Sequence, residues 1–319
     1  MVRELGAMVV LLCGGLALAG EVGSEIPQPK PVPRMQAVPQ PYDQVSFQRD
    51  GQEIARYHFG PTLKRPFIFP VIGPAGRSLT RMGHPRDPQT HSHHNSVWIT
   101  HQSVDGVNFW EDRGKARIAH QRIEAFEDLG DTAWMISLNH WLDESGKVLL
   151  IERRRTQIEL LDAGQWMLYI DVQLQPPAGT ATLGKTAFGP IGVRMAKTIG
   201  VNDGGGMIRN SEGAVNEKAI FWKPAKWVDY SGPITSKAIE GITLMDHPAN
   251  PNFPNAYHVR ADGWMGISLT LNGPMMIEVG KPLRLRYGLY IHAGRPELSE
   301  IQKRWELFAK TDLLALPRK

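Results

Sequence analysis

Cysteine is almost missing from this chain, whose 319 residues hold a single one, Cys13. With no second thiol to pair with it, no internal disulfide can staple the fold, and stability has to come from a core of ordinary size. Apolar runs of membrane-spanning length are also missing after the first twenty or so residues, which excludes a spanning helix there. No segment repeats at a fixed period, so propeller and solenoid architectures are disfavoured. Charge of one sign is scarce too: 36 Lys+Arg stand against 32 Asp+Glu, for a net charge of +4 and a pI near 9.1. The basic residues are scattered and lack the aromatic spacing of a single-strand platform, so no nucleic-acid partner is expected.

What is present begins with a leader. Arg3, the apolar stretch Leu5 to Ala19 and the small residues of Ala17-Leu18-Ala19 have the form of a secretory signal, with cleavage expected after Ala19 and a mature start near Gly20. Leu12, ahead of Cys13, is not the small residue of a lipobox, so no lipid anchor is expected. The protein is accordingly expected to be periplasmic or secreted, with no membrane association after cleavage. Residues 20–41 are proline-rich, with IPQPKPVPRMQAVPQP over Ile26 to Pro41, and read as an extended linker or strap. A single β-sandwich domain is expected over residues 42–319.

Period-two patterns dominate that body. Trp134, Ile136 and Leu138 alternate with other residues, as do Trp166, Leu168, Ile170, Val172 and Leu174, and again Leu283, Leu285, Tyr287, Leu289 and Ile291. These predict half-buried strands. Turn signals such as Asn202-Asp203-Gly204-Gly205-Gly206 punctuate them, and no helical pattern of crossover length separates them. An all-β fold follows, an antiparallel two-sheet sandwich. One helix is expected near the C-terminus, opened by Pro296, with Leu298, Ile301, Trp305 and Phe308 on its apolar stripe.

Four of the eleven histidines, His91, His93, His94 and His101, fall within eleven positions. In an extended segment His91 and His93 point one way and His94 the other, so three rings converge only if the chain bends. A three-histidine metal site is therefore not implied, and no metal or other cofactor is expected, although two imidazoles with a carboxylate or His258 would suit zinc. Without a metal, an imidazole transfers protons, which fits sugar ring opening, glycosidic cleavage or proton abstraction next to a carboxylate. The alternative role is capping loops and bonding backbone.

Three further segments offer polar groups in apolar surroundings. Arg194, within Phe188-Gly189-Pro190-Ile191-Gly192-Val193-Arg194, needs either a carboxylate such as Glu217 or a ligand. Lys226-Trp227-Val228-Asp229 places Trp227 and Asp229 on one face, a ring and a carboxylate as a sugar site offers, though strand aromatics are more often core. Asp246-His247-Pro248 opens an irregular loop of the kind that carries function on a rigid sheet, or else a plain Asp-initiated turn. It leads to His258 and Arg260, which share a face if extended. The candidates for catalysis are His93, His94, His258 and Glu217. Those for substrate binding are His91, His101, Arg194, Lys226, Trp227, Asp229, Asp246, His247 and Arg260.

The stretches HSHHNSVWITHQSVDGVNFW, FGPIGVRMA, NSEGAVNEKAIFWKPAKWVDYSG and DHPANPNFPNAYHVR together resemble an exported bacterial family once labelled methane-oxygenase-like, over about Arg65 to Lys310. Members of that family show Asp-His-Pro-His-His-Arg-Gly where this chain has Thr90-His91-Ser92-His93-His94-Asn95-Ser96. The three histidines persist while the Asp, Arg and Gly do not. Methane oxidation itself is excluded, because the methane-oxidising protein behind that label is an integral membrane protein. In strand content and histidine usage the family resembles galactose-mutarotase-like supersandwich proteins that act on sugars. With this resemblance beside the histidine pattern, the expectation is a carbohydrate or glycoside ligand, cleaved or isomerised by metal-free His/carboxylate acid-base chemistry, as by a glycoside hydrolase, lyase or epimerase. The alternatives are a non-catalytic carbohydrate-binding protein and a metal-dependent hydrolase built on the histidine cluster.

Overall fold

A computed structural model of the protein describes residues 31–83 and 91–316; the expected leader and the cleavage expected after Ala19 lie outside the described residues. The chain divides into two units, Met1–Val32 and Pro33–Lys319, and the second carries everything that follows.

Alternating branched and aromatic residues pleat this unit into strands whose pairings are all antiparallel among the described residues. One sheet has nine strands, in the spatial order Met35–Gln40, Gln44–Arg49, Gln52–His58, Phe67–Val71, Val97–Ile99, Pro190–Arg194, Trp264–Ser268, Ala256–Arg260 and Lys223–Pro224. A second has eight, in the order Met207–Asn210, Trp227–Pro233, Ile239–Asp246, Leu283–Ala293, Trp166–Gln175, Val148–Leu160, Thr132–Leu142 and Arg117–Leu129, and a small third pairs Thr180–Leu183 with Met275–Glu278. Val97, Ile99, Ile191 and Val193 of the first sheet and Leu168, Val172, Leu285 and Leu289 of the second belong to one apolar core. This is the expected two-sheet antiparallel body.

The folded body starts earlier than the proline content suggests. Met35–Gln40, expected to be part of the linker, is a strand in register with Gln44–Arg49, and Met35 and Ala37 are buried in the core. Pro39 is compatible because this strand lies at the sheet edge, where one side of its backbone needs no ladder partner.

The strand Trp166–Gln175 also departs from expectation, being buried at every position instead of on one face. Its outer face is covered by the C-terminal helix Leu298–Ala309. Ile301, Trp305 and Phe308 of that helix pack against Met167, Tyr169, Trp227, Met245 and Tyr290. Leu298, assigned to the same stripe, sits in the first turn and stays exposed.

Candidate functional site

The site rests on a glycine in the middle of the nine-stranded sheet. Gly192 pairs with Trp98 on one side and Gly266 on the other. A Cβ at Gly192 would lie 2.7 Å from the Trp264 ring and 2.8 Å from that of Trp98. Only a hydrogen there lets both indoles lie across the strand. With Phe67 and Trp110 these two rings form a small separate apolar cluster, and His94 stacks on it, 5.1 Å from Trp264 and 5.6 Å from Trp98.

The segment carrying the histidines is a turn, not a strand: His94 N donates to His91 O at 3.1 Å. The bend brings together rings that an extended chain would separate. His93 and His94 are 4.5 Å apart, His91 and His94 5.0 Å, and His91 and His93 6.3 Å. Among the described residues, no group of three or more His, Cys, Asp or Glu side chains is arranged to hold a metal ion.

His91 and His94 open on a cavity of about 390 Å³, whose other walls include Phe188, Glu217, His258, Arg260, Asp262 and Trp264, with the exposed Asn202 beside them. His258 comes from the strand Ala256–Arg260 and is 5% exposed. Four rings surround it, Phe188 and Phe221 at 5.1 Å, Trp264 at 5.9 Å and Trp222 at 6.3 Å. Neither of its nitrogens has a hydrogen-bond partner. The Ala187 carbonyl, which accepts from Ser268 Oγ at 2.7 Å, lies close enough to the ring to raise its pKa. Burial, and then the charge of Arg260, push the His258 pKa down to about 4 against the opposing pull of Glu217 and Asp262. Burial lowers His93 to about 4 as well. His94 is lowered further, by burial and then by its neighbours His93 and Arg194.

Two ion pairs frame the cavity. Arg260 Nη1 donates to Glu217 Oε1 at 2.8 Å, while Glu217 Oε2 accepts the Ala261 N–H at 2.7 Å. Arg194, wholly buried, grips Asp262 through two bonds of 2.9 and 3.3 Å. Burial alone would raise the Asp262 pKa, but the hydrogen bond and charge of Arg194, with His91 and Arg81, hold it below the usual carboxylate range. The sequence paired Arg194 with Glu217; the structure gives Arg194 to Asp262 and Glu217 to Arg260.

Of the expected site residues, His91, His94, Glu217, His258 and Arg260 meet at the cavity. His93 lies one step back, its ring 6.2 Å from Trp110, and Arg194 acts through Asp262. The rest lie away from the cavity lining, in contact with other parts of the protein. His101 is buried, with Ser103 N donating to its Nδ1 at 3.1 Å and its Nε2 meeting Thr270 Oγ1 at 2.9 Å. Thr270 already donates to Gly184 O, so Nε2 carries a hydrogen toward Thr270 Oγ1, while Nδ1 also lies 2.9 Å from Ser103 O, and both nitrogens have partners within the protein. Trp227 is core under the C-terminal helix and donates to Gln302, and the Lys226 ammonium lies 5.3 Å over the Trp305 ring. Asp229 is buried within the eight-stranded sheet and holds His292, at 2.7 Å, and Arg209, also at 2.7 Å. Asp246 accepts from Asn250 and Asn255, knotting its own loop. His247 Nε2 bonds Thr311 O at 2.8 Å and fastens the end of the helix.

Asp262, Trp264, Phe188 and Asn202 are the lining residues that sequence reasoning missed. Asp262-Gly263 reads only as the turn between the strands Ala256–Arg260 and Trp264–Ser268. Nothing local in it announces a partner 68 positions away.

A family model described as "Family of unknown function (DUF6807)" matches residues 44–306, and the chain belongs to that family. The description carries neither the methane-oxygenase label nor a galactose-mutarotase link. No curated protein matches the chain. Among solved structures the chain is similar to a protein from the human microbiome named as a kojibiose phosphorylase, with 10% identity and a TM-score of 0.33, over 88% of this chain and 37% of that one. It is also similar to a 4-alpha-glucanotransferase from Thermococcus litoralis, with 12% identity and a TM-score of 0.30, over 82% of this chain and 40% of that one. The chain thus spans less than half the length of either, and likenesses this weak do not bear on its function.

Proposed function

We propose, for this member of a family of unknown function, that the cavity binds a sugar and that His258 moves a proton on it, as in an isomerase or lyase. The supporting observation is His258 itself, a buried imidazole held neutral at the wall of a cavity, with both nitrogens lacking partners. Leaving a buried polar group unpaired costs roughly 1–3 kcal/mol, and a sugar hydroxyl is a partner of the right kind. A neutral imidazole is a base for a C–H made acidic by a neighbouring carbonyl. Arg260, at the same cavity, supplies positive charge where an enolate oxygen would develop.

Glycoside hydrolysis would instead call for a carboxylic acid kept protonated near neutrality beside an ionised partner. Asp262 is held ionised by Arg194, and Glu217 is committed to an ion pair with Arg260. That favours proton abstraction over hydrolysis. Both nitrogens of His258 are buried, so on this reading the sugar has to lie directly against the ring for the proton to pass. Export to the periplasm or beyond, where such sugars would be met, is part of the same proposal and rests on the leader.

Proton NMR in D2O, with the purified protein and a panel of aldoses, ketoses and uronates, tests the reading. One sugar C–H is expected to exchange, with the rate falling by about 100-fold or more in His258→Ala while the unfolding midpoint is retained. Absence of exchange and binding with every sugar, or a His258→Ala variant as active as the parent, would sink it.

A further inference from the structure

We propose that Trp222 is a stacking platform for a second sugar ring, so that the ligand is a disaccharide or longer chain; this rests on the sugar-binding reading of the cavity. Trp222 is the one exposed member of the nine tryptophans, at 47%. Leaving an indole in water forgoes the burial that places tryptophan in cores. The residue also has φ +57°, a left-handed conformation disfavoured for a bulky side chain. Two unfavourable features coincide at one residue beside the cavity.

The surroundings fix the ring in place. Trp222 N donates to Tyr257 O at 2.8 Å, just before Lys223–Pro224 joins the sheet edge beside Ala256 and Tyr257. The indole stacks on Phe221, with ring centres 4.5 Å apart and planes at 26°. Phe221 in turn carries the Arg260 guanidinium 4.5 Å over its ring. An indole braced this way loses little freedom when a ligand settles on it, which is what a recognition platform requires. Its centre is 6.3 Å from the His258 ring, yet it lies outside the cavity lining.

The cavity, about 390 Å³, falls within the ligand-pocket range of roughly 300–1,000 Å³. A sugar chain that extends past its rim brings the C–H face of a ring to the flat face of Trp222.

Calorimetric titration of the full protein and of Trp222→Ala with glucose, galactose, cellobiose, maltose and lactose tests this. The parent is expected to bind at least one disaccharide roughly 2- to 10-fold more tightly than its component monosaccharide. Trp222→Ala should erase that advantage and leave the monosaccharide Kd unchanged, and Trp222→Phe should retain part of it. Equal weakening of both ligands would make Trp222 a cavity wall and overturn the platform while leaving the sugar reading intact. No change in either ligand would overturn it too, as would a loss of self-association on light scattering, which would make the indole a contact between copies. If the parent binds monosaccharides but no disaccharide more tightly, the platform fails while the sugar reading stands; if it binds none of these and none of the aldoses, ketoses and uronates above, both fail.

Discussion

Arg194 has no exposure at all, and its guanidinium meets Asp262 through two bonds of 2.9 and 3.3 Å. Removing that carboxylate leaves a cation in the interior, with water from the cavity as its nearest substitute. Asp262→Ala is therefore expected to destabilise the protein by about 1–3 kcal/mol, and Asp262→Asn by less. Urea unfolding measures this, and an unmoved midpoint in Asp262→Ala would mean that Arg194 is satisfied without Asp262. The sign with pH follows from a folded pKa held low. The contribution is complete above the unfolded value near 3.9 and disappears as pH falls through the lower folded one. That Arg194 needs a partner was legible in its apolar neighbourhood; the partner's identity was not. The same reasoning singled out Asp229, Asp246 and His101, all of them buried and fully bonded within the protein. A buried polar group announces that it is satisfied, without saying whether by the protein or by a ligand.

The C-terminal helix shows where periodicity is informative and where it stops. Its buried positions Ile301, Trp305 and Phe308 follow directly from their i, i+4, i+7 spacing. Trp305→Ala should cost about 3–5 kcal/mol, since the indole packs on Phe253 with ring centres 6.0 Å apart and donates to Asp246 O at 3.0 Å. Leu307→Ala, at an exposed position, should stay within about 0.5 kcal/mol. Comparable losses for the two, in parallel thermal or urea melts, would show that the helix does not pack as described. Alternation likewise gave Thr132–Leu142, Trp166–Gln175 and Leu283–Ala293 of the eight-stranded sheet, but not the longer Arg117–Leu129 and Val148–Leu160. It could not show that the helix would cover the outer face of Trp166–Gln175, because that depends on partners distant in sequence. Met35–Gln40 was missed because Pro39 and the prolines flanking the strand outweighed a buried pair, Met35 and Ala37, two residues apart. The histidine turn was legible as a cluster but not as a convergence, since the bend at His91 to His94 carries no glycine or proline signal.

Taken across the whole body, burial acts on most of the titratable rings in one direction. Eight of the eleven histidines, His58, His93, His94, His101, His120, His140, His247 and His258, have pKa values lowered chiefly by desolvation. Three carboxylates move the opposite way, burial raising Asp171 to about 6 and also raising Glu240 and Asp246. An unfolded histidine takes up its proton near pH 6.5, while His93, His101 and His258 in the folded protein wait until about 4. Between those values unfolding binds protons, so stability falls as pH falls, by about 1.4 kcal/mol per unit for each such ring at full effect. The raised carboxylates act with the opposite sign over part of the same interval, since the folded form then holds a proton that the unfolded form has lost. They are outnumbered, and the net slope should favour neutral pH. Urea midpoints at pH 7.5, 6.5, 5.5 and 4.5 are expected to drop steeply over the last three values. His101→Gln, which keeps one donor and one acceptor for Thr270 and Ser103, should make that drop shallower by about one proton. A midpoint that stays level or rises from pH 6.5 to 4.5 would mean that these rings are hydrated in the folded protein, and the neutral, partnerless state assigned to His258 would lose its footing with them.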